Sequence, residues 1–198
     1  MKIKFLIFTF IIISGCIYKK NISMDELEKN EQTYLKLKQN YVSCSGRGEV
    51  QAEGILPWKL KFKYISQRDS SFIQVMDILG RKSVLIWLTA DSLMAWSMIE
   101  NKKYSHYQMI NDFPFLNNFS PSDITKILWG VKPDSLNKSI SQLNYSFKYK
   151  SLNNKNNFLT SAILSNRKHN QSLIINFHDR EHNHQSVDLN ARWRLIQS

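Results

Sequence analysis

The residue with the clearest capacity for chemistry is Cys16, one of two cysteines in the chain. It follows a basic flank with Lys2 and Lys4, a largely apolar run over residues 5–13, and two small residues that directly precede the thiol. The apolar run is about half as long as the roughly 18–20 residues that a membrane-spanning helix needs. The pattern therefore predicts a signal peptide over residues 1–15.

The end of this segment resembles the lipobox of bacterial lipoproteins, with the sequence Ile13-Ser14-Gly15-Cys16. The resemblance implies that the cysteine thiol is diacylated, that the preceding residues are removed, and that the new amino terminus is acylated. A lipidated tether over residues 16–22 would then hold the protein on a membrane. Because two signals already anchor a protein stably, three acyl chains would be an almost permanent anchor. A cytosolic protein with an apolar N-terminus and a secreted protein cleaved nearby are the alternatives.

The remaining reactive side chains form no recognisable catalytic motif. Cys44 lies among polar residues with no histidine close in sequence, which favours a buried or inert thiol. His178, His182 and His184 could be drawn as metal ligands with the neighbouring acids, but their place between two predicted strands favours a solvated hairpin loop. The sequence shows no glycine-rich phosphate loop and no nucleophile elbow. We therefore expect no enzymatic activity, no metal and no cofactor.

The chain is basic, with 27 lysines and arginines against 16 aspartates and glutamates and a formal net charge of +11. The charges are scattered, and Lys59, Lys61 and Lys63 alternate along a predicted strand as on a solvated face. Because an exported lipoprotein does not meet nucleic acid in its compartment, we expect no nucleic-acid partner, while anionic lipid headgroups stay a candidate. The length favours a single domain over residues 23–198.

Hydrophobic periodicity predicts a helix, a strand meander, a second helix and further strands. Ser23 and Glu26 fit a capping box for a helix over residues 24–40. Ser120 is the predicted N-cap of the second helix, with a proline at its first position and Gly130 after its end. Consecutive strands with tight turns predict an α+β fold, a curled antiparallel sheet whose concave side the two helices cover. The strands are predicted over residues 47–54, 58–64, 71–79, 82–89, 92–99 and 103–110, and then over 142–150, 158–165, 171–178 and 186–196.

Four segments follow one another in an order that is typical of one family. They are Asp77-Ile78-Leu79-Gly80, the strand over residues 83–89, Lys103-Tyr104, and the helix over residues 121–130 with its Leu-Trp-Gly ending. The N-terminal helix that leads into the strand of Gly46-Arg47-Gly48 also fits. In this order the segments resemble the LolB family of outer-membrane lipoproteins and the wider LolA/LolB-like group.

The resemblance implies an open half-barrel with a short helical lid and an N-terminal helix over an apolar cavity that binds acyl chains. It also implies a lipid-anchored monomer on the outer membrane, facing the periplasm, which accepts lipoproteins from a LolA-like periplasmic carrier and inserts them in that membrane. The alternative is a structural or interaction lipoprotein that uses the same fold as a docking module, with its cavity filled by its own side chains.

The predicted site has two parts, a membrane-insertion loop and a lipid cavity. By resemblance, Leu79 before Gly80 is a protruding side chain that contacts the acyl layer; in the other interpretation it folds back onto the sheet. The cavity residues likewise either line a space or pack as a solid core. The predicted lining residues are Trp58, Leu60, Phe62, Tyr64, Ile124, Ile127, Leu128 and Trp129.

Overall fold

The structure of the chain, a computed structural model, contains four helices and nine strands in the part that it describes. The predicted signal peptide and the tether with Cys16 lie outside this part. The described residues are 24–53, 58–112, 119–133, 143–152, 156–166 and 171–197. The helices are α1 (Met24–Asn40), α2 (His106–Asp112), α3 (Pro121–Leu128) and α4 (Leu189–Gln197), and the strands are β1 (Ser43–Glu53), β2 (Trp58–Gln67), β3 (Ser70–Met76), β4 (Lys82–Leu88), β5 (Leu93–Ser97), β6 (Lys102–Ser105), β7 (Leu143–Leu152), β8 (Asn156–Asn166) and β9 (Gln171–Asn183).

The strands form one antiparallel sheet in the order β6-β5-β4-β3-β2-β1-β9-β8-β7. Strands β1 to β6 are a meander of consecutive neighbours. Strands β7 to β9 are a second meander, which joins the first where β9 pairs with β1. Since β6 and β7 are the two edges, the described sheet is open. The predicted α+β class with a curled antiparallel sheet and an open half-barrel is confirmed.

One face of the sheet, here called the inner face, is apolar and covered by helices. Phe62 and Tyr64 of β2 are buried on this face, whereas the alternating Lys61 and Lys63 are exposed on the opposite, outer face. Tyr34 of α1 and Ile127 of α3 belong to the same buried cluster as the β2 aromatics. The predicted alternation of β2 and the predicted cover of two helices are therefore both confirmed.

Glycines in β1 let aromatic rings lie close over the sheet. Gly46 pairs with Tyr64 and Gly48 pairs with Phe62. A Cβ atom at either glycine would collide with the paired ring and with the backbone of β9. The register of β1 and β9 also shifts at Gly48, and such bulges increase local twist. The curl of the sheet thus depends on residues without side chains at its centre.

Helix α3 begins and ends as its sequence predicts. The Ser120 hydroxyl accepts a hydrogen bond from the Asp123 backbone N–H (3.1 Å), and the Asp123 carboxylate accepts one from the Ser120 N–H (2.8 Å). Pro121 occupies the first turn. Gly130, with φ of +88°, takes the left-handed conformation after the helix. These local signals fix the position of α3 along the chain.

The last predicted strand, over residues 186–196, is wrong because this segment forms α4. Leu189 and Trp193 are four residues apart and so face the same side of a helix, where Trp193 packs on Trp87 with ring centroids 4.6 Å apart. The Asp188 carboxylate accepts a hydrogen bond from the Ala191 N–H (3.1 Å) and satisfies a donor of the first turn. Leu189, Trp193 and Ile196 are spaced i, i+4 and i+7, which fits one side of a helix, although the same segment also contains the alternating set from Leu189 to Leu195.

The boundaries of other elements differ from the prediction as well, most of all at β6 and β9. The strand predicted over residues 103–110 ends at Ser105, and α2 follows. With α2 and α4, the described helices number four rather than the two predicted. Strand β9 runs to Asn183 instead of residue 178, which places His178 and His182 in the strand and makes the predicted hairpin loop wrong. Among the described helices, none combines the length and apolarity that crossing a bilayer requires.

Candidate functional site

An apolar cavity of about 180 Å³ lies between the inner face of the sheet and α3. Every described residue that lines it is apolar, so a water molecule inside would find no hydrogen-bond partner among those side chains. Such a lining suits hydrocarbon better than water. The lining residues are Val50, Phe62, Ile73, Val75, Ile86, Leu88, Leu93, Met109, Phe119, Ile124, Ile127, Leu128, Leu164, Leu173, Ile175 and Phe177.

The cavity brings together half of the residues predicted for it, namely Phe62, Ile124, Ile127 and Leu128. The other four lie elsewhere or outside the described side chains. Leu60 is half-buried against the core cluster, beyond the lining. Tyr64 and Trp129 are buried beside the cavity, and Trp58 begins β2 with a side chain outside the described part.

Tyr64 and Trp129 do not line the cavity because each directs a polar atom into a hydrogen bond. The Tyr64 hydroxyl donates to the Leu128 carbonyl (2.9 Å), and the Trp129 indole N–H donates to the Ser66 hydroxyl (2.8 Å). The Ser71 hydroxyl in turn donates to Ser66 (2.8 Å) and lies 3.3 Å from the Thr125 hydroxyl. A buried polar network therefore ties one side of α3 to β2 and β3.

The C-terminal end of α3 is held by Arg180, a residue of β9 that the sequence did not point to. Its guanidinium donates to the carbonyls of Ile127 (3.2 Å), Leu128 (2.8 Å) and Leu159 (2.7 Å). A cation at a helix C-terminus satisfies the free carbonyls and is favoured by the helix dipole. The same group lies over the Phe177 ring, 4.4 Å from its centroid. Arg180 thus connects the end of α3 to a ring that lines the cavity.

Cys44 and His182 lie in the interior near the end of α3. The Cys44 sulfur is 3.8 Å from the Tyr64 hydroxyl oxygen, and burial raises the pKa of the thiol to about 12. The thiol is therefore protonated at neutral pH and is a poor nucleophile. Burial lowers the pKa of His182, whose Nε2 lies 3.2 Å from the Trp129 carbonyl. Because a carbonyl only accepts, Nε2 carries the proton of the neutral ring.

The predicted metal candidates do not converge. His178 faces Glu49, with Nε2 3.5 Å from a carboxylate oxygen, whereas His182 is packed between aromatic rings and His184 stacks on Tyr41. Within the described ranges, no group of three histidine, cysteine, aspartate or glutamate side chains could hold a metal ion.

The turn between β3 and β4 presents Leu79 to solvent. Leu79 is 70% exposed and Ile78 is 90% exposed, so the interpretation in which Leu79 folds back onto the sheet is wrong. The Asp77 carboxylate holds the turn by accepting hydrogen bonds from the backbone N–H groups of Leu79 and Arg81 (both 2.9 Å). These bonds lower the pKa of Asp77, and the bond from the Arg81 backbone N–H has the largest effect. Gly80, with φ of +79°, supplies the left-handed residue of the turn.

Two solved structures from other proteins have a fold similar to that of this chain. A candidate outer membrane lipoprotein-sorting protein domain from Vibrio parahaemolyticus is similar to this chain with a TM-score of 0.56 and 10% identity, over 87% of this chain and 100% of that one. A LolA superfamily protein from Nitrosomonas europaea is similar with a TM-score of 0.50 and 8% identity, over 80% and 95% of the two chains. No protein-family model and no curated protein sequence matches the chain. The shared feature is the LolA-like fold.

Proposed function

We propose that this chain is a LolB-like lipoprotein that accepts lipoproteins from a LolA-like periplasmic carrier and inserts them in the outer membrane. It binds their acyl chains and catalyses no reaction. Cys16 carries the lipid anchor, residues 16–22 form the tether, and residues 23–198 act as one monomeric domain on the periplasmic side. The observation that carries the proposal is the wholly apolar cavity beneath α3.

The size of the cavity indicates how an acyl chain would enter. Its volume of about 180 Å³ lies below the roughly 300–1,000 Å³ of typical ligand pockets. A long acyl chain therefore needs the side of α3 that bears Ile124 and Ile127 to move away from the sheet. The side chains of Ile124 and Ile127 make apolar contacts with the described lining of the cavity, and such contacts are non-directional, so they can be exchanged for contacts with hydrocarbon.

The exposed turn supports the delivery step. Leaving a leucine side chain in water forgoes roughly 1.5–3 kcal/mol of burial. Asp77 holds Leu79 in this position through the bonds of the turn, so the exposure is built into the structure. Contact of Leu79 with the acyl layer of the membrane would recover the burial at the moment when cargo is delivered.

The delivery role is tested by following an acylated lipoprotein from a purified LolA-like carrier to vesicles that bear this protein. We expect Leu79→Glu to abolish transfer and to change the Tm by only a few degrees, because the side chain is already in water. Ala90→Glu, in an exposed turn at the other end of the sheet, is the matched control and should transfer normally. A large fall in Tm with transfer intact would contradict the insertion role.

Anchoring is tested separately at Cys16. The Cys16→Ala variant should lose the mass of the acyl groups and move from the membrane fraction to the soluble fraction, because no thiol remains to be acylated. A variant that still sediments with membranes and has no mass difference beyond the substitution would contradict the anchor.

A further inference from the structure

A second apolar turn lies beside the one that bears Leu79. In the turn between β5 and β6, Ile99 is 74% exposed and Met98 is 39% exposed. Ser97 pairs with Val84 of β4, which in turn pairs with Val75 of β3, so both turns lie at the same end of the sheet. The Met98 N–H donates to the carbonyl of Ser83 in β4 (2.9 Å) and so connects the second turn to the β3–β4 hairpin.

The second turn also has a defined conformation, which a side-chain hydrogen bond and a left-handed residue hold in place. The Ser97 hydroxyl accepts a hydrogen bond from the Glu100 N–H (3.3 Å), and Asn101 takes a left-handed conformation with φ of +49°. Asparagine tolerates this conformation better than most residues. The apolar residues Met98 and Ile99 therefore lie at the tip of a defined turn, and the core packs without them.

Basic residues surround the two tips. Residues 77–82 and 98–103 contain four cations against two acids, and all four cations are exposed. Asp77, one of the acids, already pairs with Arg81 at 2.8 Å. At the opposite end of the sheet, the turn between β4 and β5 exposes Ala90 and Asp91, so it is small and acidic instead of apolar and basic. Apolar tips next to lysines and arginines are typical of surfaces that bind the membrane interface.

We propose that the β3–β4 and β5–β6 turns together form a two-point docking surface for a bilayer that contains anionic phospholipid. Ile78, Leu79 and Ile99 enter the acyl boundary, while Lys82, Lys102 and Lys103 contact the phosphate groups. The proposal deepens the proposed function, on which it rests for the presence of a membrane, and adds a second insertion point and a preference for lipid charge. Two points of contact also fix the orientation of the sheet, which a single turn leaves free to rotate.

The experiment uses the lipidated protein in vesicles, with an environment-sensitive fluorophore on a cysteine at one tip. Ile78→Cys and Ile99→Cys label the two tips, and Asp91→Cys labels the opposite end as the matched control. Cys44 is buried and does not compete for the label. The vesicles contain either phosphatidylcholine alone or phosphatidylcholine with phosphatidylglycerol, and a quencher attached to the acyl chains reports depth.

We expect labels at residues 78 and 99 to shift to the blue and to be quenched in vesicles with phosphatidylglycerol, while the label at 91 stays in water. The double variant Lys102→Glu and Lys103→Glu should lower the ratio of inserted to uninserted label at residue 78 by about tenfold or more. A label at 99 that behaves like the label at 91, while the label at 78 inserts, overturns the two-point surface. Equal insertion in both kinds of vesicle overturns the lipid preference. The labels do not report on the cavity, so failure of cargo binding is read independently by dye displacement.

Discussion

The two sides of α3 are held by different forces. On one side, the Leu128 carbonyl, the Thr125 hydroxyl and the Trp129 indole join hydrogen bonds with Tyr64, the Ser66–Ser71 pair and Arg180. On the other, the side chains of Ile124 and Ile127 face the apolar cavity. Hydrogen bonds are directional and costly to leave unmade when buried, whereas apolar contacts tolerate rearrangement. We therefore expect α3 to keep its place along the hydrogen-bonded side and to yield more readily along the side that faces the cavity.

The strongest test of this asymmetry removes Arg180. Arg180→Met keeps much of the side-chain length but removes the guanidinium hydrogen bonds to the carbonyls of Ile127, Leu128 and Leu159. We expect a loss of about 3 kcal/mol in the free energy of unfolding, because several bonds from one charged group are lost in a half-buried place. Urea unfolding measures the change.

Arg180→Lys is the matched control for charge. Lysine keeps the cation near the end of α3 but lacks the planar set of donors, so it should recover only part of the stability. If Arg180→Met unfolds at the same urea concentration as the wild type, Arg180 does not anchor the lid.

A smaller effect is expected on the cavity side. Ile124→Ala should cost about 1 kcal/mol, less than the roughly 2–5 kcal/mol of such a truncation in a filled core, because Ile124 is half-buried and faces the cavity, where it has few neighbours. The larger cavity should bind an apolar dye more tightly. Ile65→Ala, half-buried on the outer face, is the control, and its dye binding should not change. A loss as large as that of Arg180→Met would mean that both sides of α3 are held equally.

The smallest expected effect is the pH dependence that His182 contributes. Burial lowers the pKa of His182 in the folded state below its usual value of about 6.5. At a pH between these two pKa values, the unfolded chain binds the proton more readily than the folded protein does. The contribution to stability is complete above pH 6.5 and is lost as the pH falls below it. The Tm of the wild type should therefore fall more steeply from pH 7.5 to 5.5 than that of His182→Gln, which keeps an N–H donor. Parallel Tm profiles would contradict this role.

Local signals explain which parts of the fold could be predicted. The capping box of Ser120 and Asp123 and the alternation along β2 each lie within a few residues, and the structure has α3 and β2 where those signals place them. The segment from Leu189 carries a pattern that fits a strand and a helix equally. The helix is favoured because Trp193 then packs on Trp87, which lies about a hundred residues away in sequence.

The anchoring of α3 could not be predicted for a related reason. Arg180 bonds to backbone carbonyls, which every residue carries, so no side-chain pattern marks its partners. The same holds for Tyr64 and Trp129, whose aromatic character suggested cavity lining but whose polar atoms bond to Leu128 and Ser66. A sequence shows which residues are apolar, whereas the partner of a buried polar atom depends on the assembled fold.

Binding of an acyl chain in the cavity is measured most directly by displacement of an apolar fluorescent dye. The wild-type protein should bind the dye and release it when palmitate is added. Val75→Phe, which fills the cavity from β3, should lose dye binding, whereas Val187→Phe, the same change on the outer face, should keep it. A wild-type protein that never binds the dye, or a Val75→Phe variant that binds it as the wild type does, would contradict the lipid cavity and favour the docking module.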